Sequence, residues 1–270
     1  VGVVRDAEAL VNLRREMRRV TRVASFGTVT AAMLPAYLAR QAAAPVTESP
    51  ALRDARRDAW VGTWASALLR IFGILVRTRG PAPIHGRGHL VVANHRSTAD
   101  ILVLLRTFGG HMVSRADLAH WPLVGPAARA VGTVFVDRSD AVSGANAVRA
   151  IRSRLSQGAT VIVFPEATTF PDDDVRPFQA GAFVAALHSE ADVIPVGLAY
   201  ATGSGAQFVN ESFPAHLKRM AAAEPSSVAM CVGSPIVIGK KTRAARIRDE
   251  ARNEVQRLVH EARRMVDATD

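Results

Sequence analysis

Five short apolar runs punctuate the chain from residue 84 onward: His89–Ala93 (HLVVA), Thr133–Val136 (TVFV), Thr160–Phe164 (TVIVF), Val193–Leu198 (VIPVGL) and Val228–Val232 (VAMCV). Each is rich in β-branched residues and too short for a packing helix, so each reads as a buried strand. Stretches of helical periodicity lie between them, at 99–108, 141–157 and 179–189. A closing segment, 242–266, places Ile247, Ala251, Val255, Leu258, Ala262 and Val266 on one helical face. Strands alternating with helices need both faces of a sheet covered. The expected fold class is therefore α/β, with a largely parallel or mixed sheet flanked by helices. At 270 residues and 49% hydrophobic content there is ample chain to bury such a core. The single cysteine, Cys231, excludes an internal disulfide and a multi-cysteine zinc site. No internal repeat interrupts the pattern.

The first 80 residues follow a different pattern. Residues 5–22 read as a helix, with Leu10, Leu13, Met17 and Val20 at spacings of three and four beside Arg14, Arg15, Arg18, Arg19 and Arg22. An uncharged stretch, 23–39, follows, and then a loop at 41–51. A second apolar stretch, 59–76, carries Trp60, Trp64, Leu68, Ile71 and Leu75 at helical spacing, preceded by Arg53, Arg56 and Arg57. Tryptophans at one end of a basic-flanked helix suit a membrane interface. The expectation is an N-terminal membrane-associated helical pair over residues 1–80, ahead of an α/β domain over residues 81–270. Two ordinary core-packing helices are the alternative.

The formal charge of +10 invites a nucleic-acid partner, so its distribution matters. Residues 1–80 carry +7, residues 81–239 sum to zero, and residues 240–270 carry +3. A neutral middle with 6% aromatic residues argues against a nucleic-acid face. Near an anionic bilayer each arginine is worth on the order of 1 kcal/mol, so the terminal surplus reads as a membrane address.

Several common sites are absent: no G-x-S-x-G, no Walker A loop, no G-x-G-x-x-G and no H-E-x-x-H. Gly86-Arg87-Gly88 precedes a strand and reads as a turn. What stands out is Asn94-His95-Arg96-Ser97-Thr98-Ala99-Asp100, directly after the HLVVA run. On a continuous helix His95 and Asp100 would not face each other. With Ser97 as N-cap, Asp100 becomes the third helical residue and the chain can fold the imidazole back onto the carboxylate. A histidine so held is a general base. The alternative is a capping aspartate beside a loop histidine. The second cluster, Phe164-Pro165-Glu166-Ala167-Thr168-Thr169, follows the TVIVF run, and ligands of open α/β sheets gather at such strand ends. His95 and Glu166 are thus candidates for one rim.

Together these segments resemble the glycerolipid acyltransferases typified by 1-acylglycerol-3-phosphate acyltransferase. Asn94, His95 and Asp100 match the family's N-H-x-x-x-x-D block, and Gly132, Val134, Phe135, Val136 and Arg138 match G-x-[IV]-F-[IV]-x-R. Phe164, Pro165, Glu166 and Thr168 match part of F-P-E-G-T-R, and Val193, Pro195 and Val196 match V-x-P-V. A lead-in stretch looks like Arg115, Asp117, Leu118, Pro122 and Gly125. The resemblance implies transfer of a fatty acyl group from a thioester, on coenzyme A or acyl carrier protein, to the hydroxyl of a lysolipid at a membrane. It implies no cofactor and no metal, with the active site on the cytoplasmic face. His95 would be the base and Asp100 its orienting carboxylate. Arg115 and Arg138 would hold the acceptor's phosphate, and Glu166 and Thr168 would shape the acceptor site.

The departures bear on the acceptor. Thr169 stands where the family has an arginine, Ala167 replaces a glycine, and Gln179 occupies a position that is basic in the family. Lysophosphatidate, giving phosphatidate, is the first expectation. A non-phosphate lysolipid such as a lyso-aminolipid is the second, and a non-catalytic membrane lipid-binding protein the third. The run Asp172-Asp173-Asp174 reads as a solvated loop, or as a partner for a cationic head group.

Overall fold

The computed structural model describes residues 2–81, 88–209, 211–239 and 242–268, with side chains from residue 8 onward. Of the turn expected at Gly86-Arg87-Gly88, only Gly88 lies within them.

A seven-stranded mixed sheet forms the middle layer. Its strands are β1 (Ile74–Arg79), β2 (His89–Ala93), β3 (His111–Arg115), β4 (Val134–Val136), β5 (Val161–Val163), β6 (Asp192–Tyr200) and β7 (Ser226–Val232), in the order β1-β7-β6-β2-β5-β3-β4. From β6 to β4 every neighbouring pair is parallel. Strand β7 runs antiparallel to β6, and β1 runs parallel to β7. The five apolar runs are all strands. Every residue of β2 and β6 is buried, as expected of strands covered on both faces.

The pleat sorts side chains between two cores. Val91, Ile162, Ile194 and Leu198 face α2 (Pro50–Phe72) and α3 (Ala99–Phe108). Leu90, Val92, Val161 and Val193 face α5 (Ala141–Ser156), α6 (Gly181–Ser189) and α8 (Ala244–Asp267). The remaining helices are α1 (Gly2–Ala42), α4 (Val124–Ala130) and α7 (Phe213–Ala222), with a short 3₁₀ turn at Ala116–His120. Buried Ile247, Ala251, Val255, Leu258, Ala262 and Val266 line the inner face of α8, the face expected from their spacing.

Several elements differ from the sequence expectation. The apolar stretch 59–76 is not one helix. Ser49 caps the start of α2 by accepting the Leu52 N–H at 3.3 Å, and Gly73, at φ 70°, ends it in the left-handed conformation. Ile74 then opens β1, so a strand of the sheet lies ahead of residue 81. Strand β3 also escapes periodicity, because His111 and Arg115 interrupt its apolar character. At the N-terminus, 5–22 and 23–39 form a single helix with Pro35 inside it.

The N-terminal pair packs on the α2–α3 side of the sheet. Arg22 is buried and donates to the carbonyls of Ala221 and Ala223 at 3.4 and 2.7 Å, satisfying the carboxyl end of α7. Arg57, also buried, sits against His111, Asp54 and Asp58. Two of the arginines expected to flank a membrane surface are therefore consumed inside the protein. Trp60 and Trp64 line an internal cleft, where Trp64 donates to Thr30 Oγ1 at 3.1 Å. Among the described residues no helix is long and apolar enough to cross a membrane.

Candidate functional site

Parallel register places the two sequence clusters side by side. Val92 pairs with Val163, so His95 and Glu166 each lie three residues beyond the same rung of β2 and β5. The chain turns sharply after β2. Asn94 anchors the turn to β6, donating to Leu198 O at 2.9 Å and accepting from Leu198 N at 2.8 Å. Its side chain is buried and can reach only protein, so the asparagine sets position and leaves chemistry to its neighbour.

His95 Nδ1 lies 2.9 Å from Asp100 Oδ2. The same Oδ2 accepts the backbone N–H groups of Arg96 at 2.6 Å and Ser97 at 2.8 Å, while Tyr200 donates its hydroxyl to Oδ1 at 2.5 Å. The imidazole therefore folds back to the carboxylate as expected, with the cap shifted by one residue. Helix α3 starts at Ala99, Thr98 takes the N-cap position without a side-chain bond, and Ser97 Oγ instead accepts Ala99 N–H at 3.1 Å. Asp100 is thus the second helical residue. Of Asn94, His95, Arg96, Ser97 and Asp100, only His95 is not buried, with a side chain 17% exposed. Phe164 stacks on its ring at 3.9 Å between centroids. With Nδ1–H engaged by Asp100, Nε2 is the ring's open acceptor, which is what a general base needs. Burial, and then the Asp100 charge, push the Tyr200 hydroxyl well above its usual range, so it stays a donor.

Glu166 belongs to the same turn by a different route. Its side chain is fully buried; Oε1 accepts His95 N–H at 2.9 Å and Arg96 Nη1 at 3.1 Å, and Oε2 accepts Arg176 N–H at 2.9 Å. Both carboxylate oxygens are spent on the polypeptide, so Glu166 fastens the His95 turn to the loop after β5. Arg96, wholly buried, also reaches Asp174 O at 3.2 Å. Thr168 is exposed at the loop tip, and Ala167 has φ 67°.

Arg115 and Arg138 come together on the neighbouring strands. Arg115 pairs in register with Val136, two residues before Arg138. Arg115 makes a two-pronged contact with Asp117 at 2.9 and 3.1 Å. Desolvation first, and then the nearby Arg115 charge, depress the Arg138 guanidinium, and Arg138 has no ion pair among the described residues. Two neighbouring arginines that share one carboxylate, Asp117, are suited to an anion. Because β2, β5, β3 and β4 are mutually parallel, these arginines share the carboxyl-end rim with His95.

An apolar cleft opens beside the dyad. Thr98 and Ile101, which flank Asp100 on α3, line it together with Phe26 and Met33 of α1, Trp64 of α2 and Phe135 of β4. The sequence signal for it was only the aromatic and apolar spacing of the N-terminal helices, which says nothing of what they cover. Tyr200 went unnoticed for a similar reason, being an ordinary residue type at an unremarked position. Of the acidic run, Asp173 pairs with Arg263 at 2.7 Å and Asp172 with Arg176 at 2.6 Å. Among the described residues no group of three or more His, Cys, Asp and Glu could hold a metal ion.

A profile of the acyltransferase family matches residues 75–199. A Neisseria gonorrhoeae 1-acyl-sn-glycerol-3-phosphate acyltransferase is 32% identical over 133 residues, 49% of this chain and 52% of that one. The match thus spans about half the length of that relative. A lyso-ornithine lipid O-acyltransferase of Pseudomonas aeruginosa is 31% identical over 182 residues, covering 64% of this chain and 68% of that one. The crystal structure of a Thermotoga maritima 1-acyl-sn-glycerophosphate acyltransferase superposes with a TM-score of 0.69 at 21% identity, over 92% of this chain and 97% of that one, and supports the fold.

Proposed function

Because the chain belongs to the acyltransferase family, we propose that it moves a fatty acyl group from acyl-coenzyme A or acyl carrier protein to the hydroxyl of a lysolipid. The observation that carries the reading is a partly exposed histidine, held at Nδ1 by a buried aspartate whose chain neighbours Thr98 and Ile101 line an apolar cleft. In that reading His95 Nε2 takes the hydroxyl proton as the acceptor oxygen attacks the thioester carbonyl. Asp100 fixes the ring tautomer and stabilises the imidazolium that forms. The tetrahedral intermediate then expels the carrier thiolate, which leaves with the proton held by His95. The apolar cleft suits the acyl chain, and Arg115 with Arg138 suits an anionic head. The favoured acceptor is 1-acylglycerol-3-phosphate, giving phosphatidate.

A second acceptor class has its own support. Thr169 supplies no cation where an arginine is expected, and one similar protein is named for a lyso-ornithine lipid. Membrane association of the N-terminal helices, with the site facing the cytoplasm, completes the proposal. It is supported by Leu10, Leu13, Met17 and Val20, which are 56–62% exposed along one face of α1.

The deciding measurement is acceptor-dependent release of thiol from an acyl donor, with products resolved by mass spectrometry over lysophosphatidate and a lyso-aminolipid. His95→Ala should lower turnover by about 10²–10⁴-fold, the range for loss of a general base, with the fold intact. Turnover retained in that variant would remove the assignment. A strong preference for the lyso-aminolipid would replace the phosphate acceptor with the second class.

A further inference from the structure

Behind the His95–Asp100 pair lies a second histidine–carboxylate pair that the proposed chemistry leaves unused. His216, on α7, has no exposed surface; its Nδ1 lies 3.1 Å from Glu211 Oε1. Its Nε2 is 3.5 Å from Ser97 Oγ, at the outer limit of a hydrogen bond. Phe208 stacks on the ring at 3.8 Å and 9°, and the Phe208 N–H donates to Arg96 O at 2.9 Å. Arg219 grips Glu211 and also donates to Gly205 O at 2.5 Å, tying both residues to α7.

A serine, a histidine and a glutamate in this order have the sequence of contacts of a nucleophilic triad. Burial argues against that use. Ser97 is wholly buried and its Oγ already accepts the Ala99 N–H, so no acyl carbonyl can reach it. What Ser97 does touch is Asp100, through its backbone N–H at 2.8 Å. Burial lowers the proton affinity of His216, which leaves a neutral ring. A neutral ring can donate from Nδ1 to Glu211 and accept the Ser97 hydroxyl at Nε2, with Arg219 Nη2 also 3.2 Å from Nδ1. The two routes from His216, through Ser97 and through Phe208 to Arg96, both end on residues whose N–H groups clamp Asp100 Oδ2.

We propose that His216, braced by Glu211, is a positioning residue that holds the Arg96–Ser97 turn and thereby the Asp100 carboxylate and the His95 ring in working orientation. The proposal rests on the acyl-transfer reading of His95 for its kinetic consequence, but not for its structural one.

The test uses the full chain with vesicles containing lysophosphatidate and an acyl-coenzyme A donor. His216→Phe keeps the stack on Phe208 and removes both hydrogen bonds. It should lower kcat at least tenfold while KM for each substrate stays within twofold. His216→Gln, which restores a donor and an acceptor, should recover most of that loss. Independently of turnover, ¹⁵N NMR of His95 should show one tautomer, protonated at Nδ1, in the wild type and a mixture in His216→Phe. An unchanged His95 spectrum overturns the proposal, whether or not kcat falls, as does an unchanged kcat in a folded His216→Phe. If that variant does not fold, Ser97→Ala is read by the same criteria. A wild type that turns over no acceptor, with the His95 spectrum still responding to His216, would remove the acyl-transfer reading and leave the positioning role standing.

Discussion

Four donors converge on one carboxylate at the centre of the site. Asp100 receives His95 Nδ1, two backbone N–H groups and the Tyr200 hydroxyl, so its orientation is fixed before any substrate arrives. Preorganisation of this kind lets the imidazolium form without rearrangement of its partner. The neighbouring loop carries strain instead. Ala167 sits at φ 67°, a left-handed conformation that costs an L residue roughly 1–2 kcal/mol. Ala167→Gly should therefore raise unfolding stability by about 1 kcal/mol, less what the glycine gains in unfolded-chain entropy. A denaturation midpoint that stays put or falls would contradict this account of the loop. At this scale His95 and Glu166 were legible because each comes just after an apolar run, and Asp100 because of its spacing from His95. The work that Glu166 does was not, since nothing local shows that its carboxylate turns inward to His95 N–H and Arg96.

Helix α1 shows how an element can be right in outline and different in use. Its periodicity was readable, but the arginines along it divide by position. Arg22 turns inward to cap α7, and Arg18 pairs with Glu224 at 2.6 Å, whereas Arg14 and Arg15 remain exposed. Among the described residues none covers the exposed Leu10, Leu13, Met17 and Val20. Burial of a leucine or valine side chain is worth about 1.5–3 kcal/mol. Leu13→Glu combined with Val20→Glu should thus weaken binding to anionic vesicles at least tenfold in a sedimentation assay. Turnover of detergent-dispersed substrate should be little changed. Vesicle binding at the wild-type level would show that α1 does not dock the protein on a bilayer. Helix α2 illustrates the opposite limit. Its apolar spacing continues smoothly into β1, and only the left-handed Gly73, followed by pairing with β7, separates helix from strand.

Across the whole molecule, α2, the sheet and α5 meet at His111. Its Nδ1–H donates to Gly132 O at 3.0 Å, and its Nε2 accepts from Arg57 of α2 and from Arg154 of α5 at 3.1 Å. Burial first, then the charges of Arg57 and Arg154, lower its pKa from 6.5 to about 3. The unfolded chain therefore binds a proton that the folded chain refuses. Stability from this site is full above about pH 6.5 and is lost as the pH falls toward about 3. The loss should approach 1.4 kcal/mol per pH unit within that window. Equilibrium denaturation from pH 7 to pH 4 should show this slope, and His111→Gln should flatten it. An equally steep decline in the variant would place the sensitivity elsewhere.

Sequence alone determined the layered α/β class, five of the seven strands, the helices at 99–108, 141–157, 179–189 and 242–266, and the positions of His95 and Glu166 just past strand ends with Asp100 five residues after His95. All of these rest on periodicity or on adjacency along the chain, which depend on neighbours within a few residues. Tertiary structure decided the rest. It joined Tyr200 to Asp100, Asn94 to Leu198, and His216 to Ser97, and it folded Phe26, Met33 and Trp64 over a cleft next to Asp100. Each of those contacts is set by sheet order and register between distant segments. A rung shared by β2, β5 and β6 has no signature in the residues that occupy it.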